Sequence, residues 1–163
     1  EIDDELFDLF CFEKRLMPHL HLSLQSGDNL ILKRMKRRHS RETVIEICKR
    51  LRSIRKDITF GADLIVGFPT EGKKEFLNSI DLLENCKFSN MHIVPFSPKK
   101  GTPAARMPQV EKSTINERAA YARKVFKKIG FSVNKLVRIQ YGPYKIGSLE
   151  SGKSKILNFN NSC

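Results

Sequence analysis

Met17-Pro-His-Leu-His-Leu-Ser-Leu-Gln25 and Ile58-Thr-Phe-Gly-Ala-Asp-Leu-Ile-Val66 are the stretches whose reading decides the fold. In the first, Leu20, Leu22 and Leu24 alternate with His19, His21, Ser23 and Gln25. In the second, Phe60, Ala62, Leu64 and Val66 alternate with Thr59, Gly61, Asp63, Ile65 and Gly67. Successive side chains of a strand point to opposite faces, so each stretch predicts a strand with one apolar and one polar face. A third strand, shorter and more uniformly apolar, is expected over 91–96. It closes at Ser97-Pro-Lys-Lys-Gly-Thr-Pro103, where proline and glycine forbid regular structure.

Around these strands the apolar residues recur at helical spacing. Ile2, Leu6, Leu9 and Phe10 predict a helix over 2–14, with Asp3 and Asp4 where the positive end of its dipole favours them. Gly27-Asp28 ends the first strand and caps a short helical stretch through Met35. Ser40 is the expected N-cap of a longer helix that turns Val44, Ile47, Cys48, Leu51 and Ile54 inward. Phe76, Ile80 and Leu83 line the next helix. The last, from about Ser113 to Lys128, buries Ile115, Ala119, Ala122, Phe126 and Ile129, with Thr114 and Glu117 at capping-box spacing. Strands separated by amphipathic helices pair in parallel through right-handed crossovers, which places the chain in the α/β class. The alternative is an antiparallel sheet with one solvated face, and the intervening helices argue against it.

In a doubly wound sheet both strand faces meet helices and are apolar, whereas here the first two strands are apolar on one side only. A curved sheet whose polar side lines a ligand-holding lumen explains this, and it places His21, Ser23, Gln25, Thr59 and Asp63 inward. Ligands of such sheets sit at the carboxyl ends of the strands. The candidates there are Ser23, Gln25 and Ser26, then Asp63, Ile65, Gly67 and Pro69, then Phe96 and Ser97. Gln25 offers donor and acceptor for a ribose or amino-acid group, Gly67 close backbone approach, and Ile65 an apolar contact for a flat base. None of His19, His21, His39 and His92 has a second ligand at metal spacing, and His21 reads more readily as a hydrogen-bonded core histidine. No Ser-His-Asp spacing, phosphate loop or carboxylate pair stands out, so no catalytic side chain is assigned. A closed barrel takes about eight strands, so three imply part of a larger sheet.

With 163 residues, 40% hydrophobic and 29% charged, the chain has material for one core and little else. Its formal charge of +12 favours a polyanionic partner through counterion release, and the runs Lys33-Arg-Met-Lys-Arg-Arg38 and 49–56 point to RNA or DNA. The alternative is that these side chains only solvate helix faces. No run of eighteen apolar residues occurs, and the acidic start Glu1 to Glu5 lacks the flanks of a signal peptide, so the expectation is a cytoplasmic protein with no membrane partner. Cys11, Cys48, Cys86 and Cys163 stand too far apart for a CxxC or CxxxCxxC unit. The first three fall in helical patterns and are expected as buried free thiols, not metal ligands.

Three stretches carry a family resemblance, in family order and spacing. Met17 to Gly27 followed by Leu32-Lys-Arg-Met-Lys-Arg-Arg-His39 resembles the fourth-strand region of radical-SAM tRNA methylthiotransferases. Asp63-Leu-Ile-Val-Gly-Phe-Pro-Thr-Glu71 is similar to their fifth-strand motif, and His92-Ile-Val-Pro-Phe-Ser-Pro-Lys-Lys-Gly-Thr-Pro-Ala-Ala-Arg-Met-Pro108 to their sixth strand and the loop beyond. The likeness is strongest to the threonylcarbamoyladenosine branch and covers about residues 1–137. It implies the C-terminal half of an open, parallel β/α barrel over 1–137, and an incomplete TRAM-like or disordered tail over 138–163 with a first strand at Val137 to Tyr141. It also implies a SAM pocket formed by Ser23, Gln25, Ser26, Asp63, Ile65, Gly67, Pro69 and Phe96. Lys33, Arg34, Arg37, Arg38, Lys99 and Lys100 would then face the anticodon stem-loop of tRNA. The 4Fe-4S clusters of the family find no cysteine motif here, so the chain is expected to be a piece that is inactive without a missing N-terminal half of the same protein. A coproporphyrinogen-dehydrogenase-like radical-SAM protein shares part of the pattern, but the Ser97 to Pro108 loop favours the methylthiotransferases. A non-catalytic RNA-binding remnant is the other alternative.

Overall fold

Half-polar strands joined by amphipathic helices can bury their apolar side only against those helices, and that requirement organises the chain. A computed structural model describes residues 2–129, 140–141, 144–145, 147–150 and 152–154. Strands β1 (His19–Gln25), β2 (Thr59–Val66) and β3 (Asn90–Pro95) form one sheet in the order β1-β2-β3, and both pairings are parallel. Helix α1 (Asp4–Phe12) precedes β1. Helices α2 (Asn29–Arg34) and α3 (Arg41–Ile54) connect β1 to β2, α4 (Lys73–Cys86) connects β2 to β3, and α5 (Lys112–Ile129) follows a 3-10 turn at Pro103–Arg106. Among the described residues β1 and β3 each have one strand partner, so the sheet is open, as the sequence predicts for part of a barrel.

The chain divides into two compact units, Glu1–Phe131 and Ser132–Cys163. Within the second, β4 (Gln140–Tyr141) and β5 (Tyr144–Lys145) pair antiparallel. The rest of the strand expected from Val137, and residues 155–163 of the tail, lie outside the described residues.

One face of the three-stranded sheet carries the core. Leu24, Phe60, Ala62, Leu64, Val66 and Ile93 meet Phe7 and Phe10 of α1, Val44, Cys48 and Leu51 of α3, Phe76, Ile80, Leu82 and Leu83 of α4, and Ala119 and Ala122 of α5. Each large side chain removed from water contributes roughly 1.5–3 kcal/mol, so this single layer dominates folding. The caps fall where local chemistry predicts. Asp3 Oδ1 accepts from the Leu6 N–H at 2.9 Å, Asp28 Oδ1 from the N–H groups of Leu30 and Ile31, and Ser40 Oγ from the Thr43 N–H at 3.2 Å.

Five expectations are corrected. In α1 it is Phe7 that is buried beside Phe10, while Leu9 is 51% exposed, because two aromatic rings three positions apart cover more core than the leucine would. The Arg50 guanidinium lies 3.8 Å over the Phe7 ring, which fixes that rotation. Ile54, at the end of α3, is exposed, and so is Cys11, whereas Cys48 and Cys86 are buried free thiols as expected. Thr114 does not cap α5: the Ile115 N–H bonds the Glu111 carbonyl at 3.0 Å, so the helix starts earlier and Thr114 lies within its first turn. Finally, β3 is not uniformly apolar. Ile93 is buried on the core side, while Asn90 and His92 are exposed.

Candidate ligand-binding face of the sheet

Register decides which side chains share the second face of the sheet. His21 pairs with Gly61, and Asp63 with His92, so the polar positions of three adjacent strands line up on the side away from the core. There His21 Nε2 lies 3.2 Å and His92 Nδ1 3.4 Å from the same oxygen, Asp63 Oδ1. The side chains are 44% (His21), 74% (His92) and 28% (Asp63) exposed. His21 is therefore no core histidine: its ring lies on the open face, above Gly61, where a Cβ would come within 2.7 Å of His21 Nδ1. His19 Nδ1 and Thr59 Oγ1 are hydrogen-bonded at 2.8 Å toward the amino ends of the strands.

Toward the carboxyl ends the sheet changes character. Ile65 pairs with Val94, both partly buried, and gives an apolar shelf beyond the Asp63–His92 pair. Ser23, near the end of β1, is exposed. At Gln25 the alternation breaks: the register slips between Leu22 and Gln25, Gln25 has φ 66 and pairs with Leu64, a core residue. Such a bulge re-aims a strand end, so simple alternation does not place the Gln25 side chain.

The loops after the strands are held from within the protein. Ser26 is fully buried, its Oγ accepts from the Asp28 N–H at 3.2 Å, and the Gly27 N–H donates to Ser79 Oγ at 2.9 Å. Asp28 Oδ2 accepts from Asn78 Nδ2 at 2.8 Å. The Arg41 guanidinium donates to the carbonyls of Gly27 and Asn78 and pairs with Asp81. Pro69 is also buried. Gly67 has φ +75, and a Cβ there would stand 2.4 Å from Ile115 Cγ1, so glycine at this position is required by the packing of α5.

The Gly67 N–H donates to Glu71 Oε1 at 2.9 Å, and Arg118 of α5 donates to the same oxygen and to the Glu71 carbonyl, each at 2.8 Å. This pair is buried, the Glu71 side chain 1% and the Arg118 side chain 13% exposed. Burial pushes the Glu71 carboxyl above the ordinary range, against the lowering effect of the Gly67 N–H and the Arg118 guanidinium. Phe96 packs its ring edge-on against Phe68 with centroids 5.3 Å apart, and its N–H donates to the Val66 carbonyl.

Sequence reading missed His92, Glu71 and Arg118. For His92 the signal was present, since Asn90 and His92 stand two apart in an otherwise apolar strand. For the Glu71–Arg118 pair, 47 residues apart, there was none.

Lys33, Arg34, Arg37 and Arg38 are exposed after β1, and Lys99 and Lys100 after β3. Arg34 Nη1 donates to Thr70 Oγ1 at 2.6 Å, and the Thr70 N–H donates to the Pro108 carbonyl, which ties the loops after the three strands to one another. The exposed basic residues thus flank the same end of the sheet as Ser23 and Ile65.

The model of the Radical SAM superfamily matches residues 1–83. The chain belongs to the radical SAM superfamily. Among its relatives, the threonylcarbamoyladenosine tRNA methylthiotransferase of Rickettsia prowazekii (strain Madrid E) is 52% identical over 132 residues, 81% of this chain and 30% of the relative. The tRNA-2-methylthio-N(6)-dimethylallyladenosine synthase of Ehrlichia canis (strain Jake) is 39% identical over 136 residues, 83% of this chain and 31% of the relative. This radical SAM chain therefore spans about 30% of the length of the curated relatives it matches.

Two groups implied by the superfamily can be tested against the residues present. An iron-sulfur cluster needs at least three converging thiolates, and among the described residues only Cys48 and Cys86 come together. Cys11 is exposed on α1, Cys48 and Cys86 are buried in α3 and α4, and no group of three potential ligands forms. The described residues do not fit a cluster, and no step through one is derived. SAM asks for an apolar shelf and a few polar groups around it, and Ile65 with Val94, Ser23 and the Asp63 carboxylate fit that requirement.

Proposed function

We propose that this chain is the SAM- and tRNA-facing part of a tRNA methylthiotransferase acting on a modified adenosine beside the anticodon, and that it acts together with the remaining length its relatives carry. The observation that supports this best is the open face of the parallel sheet, polar at His21, Ser23 and Asp63, apolar at Ile65 and Val94, in a chain 52% identical to a threonylcarbamoyladenosine tRNA methylthiotransferase. When bound, SAM would supply the methyl group to be transferred, and Ser23, Gln25, Asp63 and Ile65 would hold it.

In this reading Ile65 receives the adenine face, Ser23, Gln25 and Asp63 offer polar contacts, and Phe96 closes the edge. Ser26, Gly67 and Pro69 shape the loops beneath. The Glu71–Arg118 pair holds the Gly67 turn to α5, so the shelf is rigid before a ligand arrives. Lys33, Arg34, Arg37, Arg38, Lys99 and Lys100 meet the phosphates of the anticodon stem-loop, and a cytoplasmic location follows from that partner.

Calorimetric titration with S-adenosylhomocysteine, and anisotropy titration with an anticodon stem-loop RNA over a salt series, test this reading. Expected are saturable nucleoside binding that Ile65→Asp abolishes, and RNA affinity whose salt slope shrinks by roughly one for each phosphate-contacting lysine or arginine removed. RNA binding without any nucleoside binding would favour a non-catalytic RNA-binding module instead.

A further inference from the structure

We propose that Cys48 and Cys86 are a peroxide-reactive dithiol that closes into a reversible disulfide and staples α3 to α4 over the core side of the sheet. Cys48 lies in the middle of α3, and Cys86 is the last residue of α4. Both are free thiols, each 1% exposed, in the same core cluster. The packing of the two helices at this point is fixed by Arg52, one helical turn beyond Cys48 and so on the same side of α3. Its Nη2 donates to the carbonyls of Cys86 at 2.6 Å and Lys87 at 3.1 Å, and its guanidinium lies 4.8 Å over the Phe60 ring of β2. This clamp turns the Cys48 side of α3 onto the end of α4, where the two thiols come together.

The surroundings divide the roles. The hydrogen bond with Cys48 holds the Cys86 thiol below its usual range, against the effect of burial, and the charges of Arg52, Arg41 and Lys49 act in the same direction. Cys48 is pushed up, by the same hydrogen bond first and by burial second. Cys86 is therefore the attacking thiolate and Cys48 the resolving thiol. The Cys86 sulfur attacks one oxygen of hydrogen peroxide: an S–O bond forms, the O–O bond breaks, and hydroxide leaves, taking the Cys86 proton to become water. The Cys48 sulfur then attacks the Cys86 sulfenic acid. An S–S bond forms, and the hydroxyl leaves with the Cys48 proton as a second water. Two thiols lose two electrons, and one peroxide becomes two waters. Thiol exchange with a dithiol reductant reverses the bond. The loop so closed contains all of β2 and the Gly67 turn, so oxidation stiffens the segment that carries Asp63 and Ile65.

The test treats the folded, full-length chain with hydrogen peroxide, removes the peroxide, unfolds the chain, alkylates the remaining thiols and digests with trypsin. The peptides 42–49 and 75–87, which hold Cys48 and Cys86, are expected joined within a monomer, lighter by two hydrogens than their sum, and separate and alkylated after dithiothreitol. The same link is expected in a chain carrying Cys11→Ser and Cys163→Ser. Cys48→Ser, which removes the resolving thiol, is expected to leave Cys86 as a sulfenic acid that dimedone traps, whereas Cys86→Ser leaves Cys48 largely unlabelled. The urea midpoint of the oxidised chain is expected to rise by roughly 1 M or more and to return on reduction. Full alkylation of both cysteines after peroxide, a link that forms only between chains, or one that forms only in urea overturns the proposal. A link that leaves the urea midpoint unmoved overturns the staple. The wild-type digest decides the matter even where a serine variant fails to fold, and none of these outcomes depends on the substrate of the relatives.

Discussion

At Glu71 two opposing effects meet. Its removal from water disfavours the charged carboxylate, while the Gly67 N–H and the Arg118 guanidinium favour it, and burial is the stronger. A carboxyl whose folded-state pKa lies above its unfolded one stabilises the fold in its protonated form. That contribution is present at acidic pH and is lost as pH rises through the ordinary carboxylate range to the raised value. Urea melts across that window are expected to show Glu71→Gln flattening this part of the pH profile. At neutral pH, Arg118→Ala is expected to destabilise the chain by about 3 kcal/mol, because it strands a buried charge, and Glu71→Gln on top of it to recover much of that loss. If Arg118→Ala cost no more than a surface substitution, the pair would not be holding the Gly67 turn.

The elements that present the open face are positioned by the turn between β1 and α2. Gly27 sits so close to α4 that a Cβ would come within 2.6 Å of Ser79 Cα, a backbone atom that cannot swing away. Gly27→Ala is therefore expected to cost about 1–3 kcal/mol in thermal or urea unfolding, through forced displacement of α4. Asp28→Ala is expected to cost about 1–2 kcal/mol through loss of the α2 cap. The identity of these elements was legible in the sequence because period-two alternation in β1 and β2 and the caps Asp28 and Ser40 are local signals. What was not legible has physical reasons. Leu9 and Phe7 compete for one helix face, and only packing decides between them. In β3 the apolar Met91, Ile93 and Val94 masked the alternation that puts His92 beside Asp63. The turn residues Ser26 and Gly27 looked like ligand contacts or punctuation, whereas their bonds run to Ser79, more than fifty residues away, which no local pattern reports.

On the scale of the whole chain, charge and open edges matter most. The formal charge of +12 and the exposed lysines and arginines after β1 and β3 give the carboxyl end of the sheet an attraction for phosphates that weakens with salt. Strands β1 and β3 each keep one unpaired edge among the described residues, and Leu9, Phe12 and Met17 are exposed apolar side chains near one another in sequence. Unpaired edges and exposed apolar surface drive association, so light scattering is expected to show self-association that grows with concentration. A monodisperse monomer at high concentration would contradict this.

The most direct test of the account maps where S-adenosylhomocysteine binds, by backbone amide chemical shifts in dilute, isotopically labelled chain. Saturable shifts are expected, concentrated at His21, Ser23, Asp63, Ile65 and Val94 on the open side of the sheet, with the outer surfaces of α3 and α4 unmoved. Shifts centred on those helices, or none at saturating ligand, would contradict it.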